Sequence, residues 1–183
     1  LAGRGMIYQR QENWTAALNA YREALRIWRS ISPESDDVAN ILRDIAIAEH
    51  KTKDYGTAER DYRNALFIEK KNNDQEGIAI NIGSLAKLAL DREQWAEAKT
   101  LAREALALAE KVGRQELIAS NCHHLAQALL KQNRNLEEAL SLSRRAVEIY
   151  TRLRLPDDVQ SAQKTLEEIE EAIHEWESGI RVF

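Results

Sequence analysis

Trp14-Thr-Ala-Ala17, Tyr55-Gly-Thr-Ala58, Trp95-Ala-Glu-Ala98 and Leu136-Glu-Glu-Ala139 follow one another at steps of 41, 40 and 41 residues. Seven residues beyond each, the same order returns as Tyr21-Arg-Glu-Ala24-Leu25, Tyr62-Arg-Asn-Ala65-Leu66, Ala102-Arg-Glu-Ala105-Leu106 and Ser143-Arg-Arg-Ala146-Val147. Large and small residues alternating at helical spacing, in four copies, identify a helical repeat. About ten residues upstream of each landmark lies a second helix, marked by Ile45-Ala46, Leu85-Ala86 and Leu125-Ala126. Each copy is therefore a helical hairpin. Gly5, Ala46, Ala86 and Ala126 on one helix answer Ala17, Ala58, Ala98 and Ala139 on the other, because two helices approach closely only where side chains are small. The one extra residue of the fourth copy falls in the turn Gln132-Asn-Arg-Asn135, where an insertion is tolerated.

Composition agrees. Ala, Leu, Glu, Arg and Lys make up about half of the 183 residues, while seven Gly and two Pro are too few for a strand-and-turn protein. One cysteine excludes a disulfide scaffold and a zinc ribbon, and fits a reducing, cytoplasmic setting. The net charge of −4 argues against a nucleic-acid binder held by phosphate contacts. No apolar run reaches the roughly 18 residues of a membrane span, and no signal peptide opens the chain. An all-α array is expected over 1–178, with repeats at about 1–33, 34–74, 75–114 and 115–155, a capping helix at 157–178 and a tail at 179–183.

The punctuation follows helix chemistry. Pro33-Glu-Ser-Asp-Asp37 and Pro156-Asp157-Asp158 start helices, Gly113 ends one, and Asn13, Asp54 and Asn135 are expected N-caps. Capping and the helix dipole also account for the paired aspartates Asp36/Asp37 and Asp157/Asp158 without a metal or an acid/base role. By register Leu1 already lies inside its first helix and Arg4 stands where later copies carry Ile45, Leu85 and Leu125, so further residues and repeats are expected upstream. At the other end Val159, Ala162, Leu166, Ile169 and Ile173 form the apolar stripe of one more helix. Glu167 at its small-residue position marks a solvating end helix. The apolar tail of Trp176, Ile180, Val182 and Phe183 is expected to fold back on the last hairpin, the alternative being that it docks onto a neighbouring molecule.

These residues resemble the tetratricopeptide repeat: bulky, small and Tyr or Leu at helical spacing, then Tyr/Trp-x-x-Ala, an aromatic, and Ala-Leu. The usual period is 34; units of about 40 are similar to those of kinesin light chains and of the sensor arrays of bacterial signalling ATPases. The linker Asn73-Asp-Gln-Glu-Gly-Ile-Ala79 into Asn81-Ile-Gly-Ser-Leu-Ala86 looks most like the bacterial arrays. The chain departs from the pattern at the intra-hairpin turn, where Glu12, Lys53 and Glu93 replace the customary Gly, and at Ala102 and Ser143, which replace the aromatic.

The resemblance implies a right-handed α-solenoid of about four hairpins plus a capping helix. Its first helices line a concave groove that takes a peptide or helix of a partner. Its positions here are Arg10 in the first copy, with Met6 and Gln9, and Asn40, Arg43, Asp44, Ile47, His50 and Lys51 in the second. The third supplies Ile80, Gly83, Ser84, Lys87, Leu90 and Asp91; the fourth supplies Ser120, His123, His124, Gln127, Leu130 and Lys131. Arg10, Arg43, Lys51, Lys87 and Lys131 against Asp44 and Asp91 predict an acidic ligand segment. Gly83 and Ser84 are expected to open room for a ligand backbone between Arg43 and Lys87. The clamp with which some members hold chaperone C-termini needs Asn where this chain has Met6, Ile47, Asp44 or Ser84.

Chemistry has no purchase here. Cys122, His123 and His124 are consecutive, so on a helix they point about 100° apart and cannot converge on zinc. No nucleophile has a base beside it. The expectation is a noncatalytic protein-binding module with no cofactor, no metal, no nucleic acid and no membrane partner. Two alternatives stand beside it: a sensing array within a multidomain signalling ATPase or transcription regulator, and a structural module that self-associates through its first hairpin.

Overall fold

The computed structural model describes residues 2–179, and among them are nine α-helices and no strand. They are α1 (Ala2–Arg10), α2 (Trp14–Ile31), α3 (Asp36–Lys51), α4 (Tyr55–Asn72), α5 (Gln75–Asp91), α6 (Trp95–Val112), α7 (Gln115–Lys131), α8 (Leu136–Leu153) and α9 (Pro156–Glu177). The even-numbered helices, second in each hairpin, are all 18 residues long. None of the described helices is long and apolar enough to cross a membrane.

The four intra-hairpin turns are one motif. Glu12, Lys53, Glu93 and Asn133 take left-handed backbone, with φ of 55°, 64°, 59° and 49°. In each, the next residue's N–H reaches back five positions: Asn13 to Tyr8 O at 2.9 Å, Asp54 to Glu49 O at 2.9 Å, Gln94 to Ala89 O at 2.8 Å and Arg134 to Leu129 O at 3.2 Å. This is the Schellman closure, which satisfies the last carbonyls of a helix and normally uses Gly at the left-handed residue. Asn13 and Asp54 then cap the following helix, accepting from the N–H of Ala16 (3.1 Å) and Thr57 (3.4 Å). Asn135 does not cap. The extra residue puts it at φ 52°, and its amide instead donates to Glu138 Oε2 at 3.4 Å. Between hairpins, Ser35 caps α3 through the N–H of Val38; Asp36 and Asp37 are first-turn charges, and Asp36 Oδ1 also accepts from Asn72 Nδ2 of α4 at 2.7 Å. Pro156 occupies the first turn of α9, and Gly113 ends α6 at φ 79°.

The chain falls into two compact units, residues 1–88 and 89–183. In the first, Ala17, Tyr21 and Ala24 of α2 bury against Ile41 and Ile45 of α3, with Tyr8 and Trp28 at the margin. Gly5 is the closest approach: a Cβ there would lie 2.4 Å from the Tyr21 ring. Val38, Ala39 and Leu42 of α3 pack on Ala65 and Ile68 of α4. Ile27, the register equivalent of Ile68, is 40% exposed, and Ile31 one turn on is 68% exposed.

In the second unit Ala89 and Leu90 of α5, Ala98 of α6 and Ala128 of α7 form one cluster. Ala102 and Ser143 are fully buried where the first unit has tyrosines, and Ser143 Oγ donates to the Ala162 carbonyl at 3.4 Å. Ala162, Leu166 and Ile169 of α9 are buried and Glu167 is exposed. Trp176 is 72% exposed; Ile180, Val182 and Phe183 lie outside the described residues.

Candidate functional site

On the first unit, the first-helix face begins with Arg10 and Asn40, both exposed. Arg43 is not an available base. Its Nη1 lies 2.9 Å from Glu69 Oε1 on α4, its Nη2 bonds Asn40 Oδ1, and its side chain is only 16% exposed. Glu69 itself is 1% exposed and accepts a second bond, 2.5 Å, from Asn81 Nδ2 of α5. Burial pushes its carboxyl up, while Asn81 and Arg43 pull it back. Gly77 makes room for it: a Cβ there would sit 2.7 Å from the Glu69 carboxyl carbon and 2.4 Å from Asp74 Oδ2. Residues from three helices thus meet in one internal cluster, and Arg43, expected among the bases that face an acidic ligand segment, is spent within the fold.

Asp44 is different. It is half-buried on α3 and makes no hydrogen bond or ion pair among the described residues; burial raises its carboxyl, and Arg43 offsets this only in part. Two phenols feel its charge. Tyr21, pushed up to about 12 by burial and by Asp44, donates to Gln9 Oε1 at 2.8 Å. Tyr62 is raised chiefly by burial and also lies in the field of Asp44. Along the same helix Ile47 is half-buried, Lys51 is exposed, and His50 meets Tyr55 and Tyr62 edge-on at 5.6 and 6.5 Å. On α5 Ile80, Ser84 and Lys87 are half-buried. Gly83 is buried and Ser84 Oγ turns to its own helix, donating to the Ile80 carbonyl at 3.0 Å, so the room expected at Gly83 is filled by the fold.

In the second unit α9 packs across part of the α7 face. His123 is buried, its Nε2 3.0 Å from Thr165 Oγ1 of α9; Gln127 reaches the same hydroxyl at 3.5 Å, and Lys131 Nζ lies 3.8 Å from Glu168. His124 is half-buried and stacks on His123 at 6.3 Å. Leu90 belongs to the core cluster. Ser120 is half-buried. What stays open is a hollow of about 400 Å³ between α7 and α9, lined by Leu130, Lys131, Asn133, Glu168, Glu171, Ala172 and Glu175. A second, about 320 Å³, lies beside Leu136, Ile173 and Trp176.

Cys122 is fully buried, next to Arg145 and Glu110, and desolvation pushes its thiol up to about 11. The described residues contain no group of three or more His, Cys, Asp or Glu able to hold a metal. Sequence reasoning missed the buried carboxylates. The signal was there: Glu69 and Glu49 stand in register with Trp28, Ala109 and Tyr150 and with Tyr8, Ala89 and Leu129, and acids at apolar positions call for internal partners.

Comparison with known families now separates this architecture from other helical arrays. Two tetratricopeptide-repeat models match, one over residues 1–68 and the other over residues 82–112 and 119–159. The chain belongs to the tetratricopeptide-repeat family. Among solved structures, this tetratricopeptide-repeat chain is similar to BtubC (BKLC) from P. vanneervenii, with TM-score 0.77, 20% identity, 94% of this chain and 71% of that one covered. It is also similar to the nearly identical TPR-like repeats of a kinesin light chain-like protein from Podosopora anserina, with TM-score 0.73, 18% identity, and 95% and 85% covered. A third is the Rap conjugation gene regulator of plasmid pLS20, in complex with the Phr* peptide, with TM-score 0.73 and 21% identity; the match takes in 98% of the tetratricopeptide-repeat chain but about half, 51%, of the regulator. No curated protein sequence matches. At these identities the likeness establishes an all-α tetratricopeptide-type solenoid fold.

Proposed function

We propose that this array is a noncatalytic protein-interaction module that binds a peptide or helix of a partner on its first-helix faces. Family membership carries the reading, and the peptide complex of the similar Rap regulator supports it. The polar side chains of α3 that packing leaves exposed or half-exposed, Asn40, Asp44 and Lys51, with Ile47 among them, give a surface on which a peptide finds both apolar and polar contacts. The five-base count behind an acidic ligand shrinks, since Arg43 faces Glu69 and Lys131 faces Glu168. Arg10 and Lys51 remain exposed on that face. A sensing role inside a longer regulatory polypeptide uses the same face and the same binding step.

The test uses peptides selected from a random 12-residue display library on the immobilised chain. A photo-crosslinking benzoylphenylalanine is placed at Ile47, or at the exposed Phe67 of α4 as the control. Labelling from position 47 and not from 67 is expected. Recovery of no peptide, or labelling only from 67, overturns the reading.

A second reading, self-association, has its own observation. Ile7 is 57% exposed although its register equivalents Ala48, Leu88 and Ala128 are buried, and Ile27 and Ile31 lie exposed on the other helix of that hairpin. A second copy covering this hairpin would give a concentration-dependent dimer in sedimentation equilibrium, abolished by Ile27→Asp. A monomer at all concentrations rejects it.

A further inference from the structure

We propose that Asp44 of α3 is the anchor for a basic side chain of the bound peptide, a Lys or Arg, so that the first unit selects cationic rather than acidic segments. This rests on the peptide-binding reading above and adds the charge that the ligand must carry.

The fold gives Asp44 no employment. The same register position holds Ser84 in the third copy and His124 in the fourth, so repeat packing accepts three unlike residues there and does not require a carboxylate. The groups around it are already engaged. Arg43, its neighbour in sequence, is turned to Glu69 and Asn40. The Tyr21 hydroxyl gives its proton to Gln9. A half-buried carboxylate without a donor is unfavourable in the unliganded chain, and the direction in which burial moves its protonation agrees. A guanidinium or ammonium placed against it would form a charge-assisted hydrogen bond in a partly desolvated setting, where such bonds are strongest. Ile47, one turn along the same helix and half-buried, offers apolar surface to the methylenes of a long basic side chain.

The experiment compares the chain with Asp44→Asn, and with Asp44→Ser as a second variant that copies the residue found at position 84. Peptides are selected from the random 12-residue library on the unaltered chain. The tightest is then remade with each Lys or Arg changed to Gln, and affinities are read by fluorescence polarisation. One basic residue is expected to dominate, its replacement weakening binding at least tenfold, and Asp44→Asn is expected to weaken the parent peptide by the same factor. In the combined pair the losses are not additive. Thermal unfolding near pH 7 supplies an independent readout: Asp44→Asn is expected to be at least as stable as the parent, since it removes an unpaired charge. Binding that persists with no basic preference, or additive losses, overturns the inference while leaving peptide binding intact. A large loss of stability in both variants overturns it too, because the carboxylate then has a structural partner. Absence of any selected peptide removes the parent reading and this one with it.

Discussion

Glycine tests the packing residue by residue. Gly77→Ala drives a methyl into the Glu69 and Asp74 carboxylates, and Gly5→Ala drives one into the Tyr21 ring, each costing about 2 kcal/mol. Gly3 and Gly56 are helical too, with nothing within 4 Å of an added Cβ, and alanine there is expected to stabilise by up to about 1 kcal/mol. Denaturant unfolding of the four variants should show the two signs. Arg43→Ala leaves Glu69 buried with a reduced complement of donors and is expected to cost about 3 kcal/mol, recovered in large part by Glu69→Gln in the double variant.

Glu49 gives the pH prediction. It is buried, its Oε1 is 3.1 Å from Arg22 Nη2, its Oε2 has no hydrogen-bond partner among the described residues, and burial and then the Asp61 charge raise its carboxyl from the ordinary 4.5. A raised carboxyl binds its proton more tightly folded than unfolded. Its contribution is therefore fully present below about 4.5 and fades as pH climbs through the raised folded value. Melting temperatures should show Glu49→Gln gaining on the parent as pH rises from 4.5 toward 7; a difference independent of pH would refute this. None of these acids follows from the alternation of large and small residues that revealed the repeat. Periodicity reports which face is covered, whereas Glu49 and Glu69 sit on covered faces because a partner on another helix makes them tolerable. His123 shows the converse, since its burial comes from Thr165, 42 residues away and outside its own hairpin.

At the scale of elements, the sequence was far more legible. Hairpin order, the caps at Asn13 and Asp54 and the stop at Gly113 all follow from local chemistry, because each is decided within four or five residues. The missing turn glycines were legible as an oddity. Their meaning is geometric: Glu12, Lys53 and Glu93 hold left-handed backbone that an L side chain disfavours by roughly 1–2 kcal/mol. Lys53→Gly is expected to stabilise by about 1 kcal/mol after the entropy of the unfolded glycine is counted, with Glu12→Gly and Glu93→Gly similar. Thermal shifts on the three single variants check it; a loss at all three would mean the side chains make contacts that outweigh the strain. Asn135 marks where local reasoning fails, because one added residue changes the backbone φ and so redirects a side chain otherwise well suited to cap.

For the whole molecule, a helical repeat predicts an array, and nothing in the periodicity marks a division near residue 88. Cys122 offers a probe of the second unit. Buried, with its thiol raised to about 11, it is expected to resist iodoacetamide at pH 8 in native buffer and to react at once in denaturant. Rapid native labelling would contradict that burial. Sequence spacing names a set of first-helix positions, but not which members α9 or an internal ion pair would claim. Those choices are made by side chains on other helices.

The fourth turn carries one residue more than the other three, yet α8 keeps the same 18 residues as α2, α4 and α6. The joint between α7 and α8 is thus a splice point whose length is decoupled from the hairpin it closes. New chain termini or a short peptide cassette introduced among Asn133, Arg134 and Asn135 would meet a site that has already absorbed one change of length, whereas the three-residue turns lack that slack. For anyone wishing to attach a reporter to this array while leaving the face of α3 untouched, that joint is the natural port of entry.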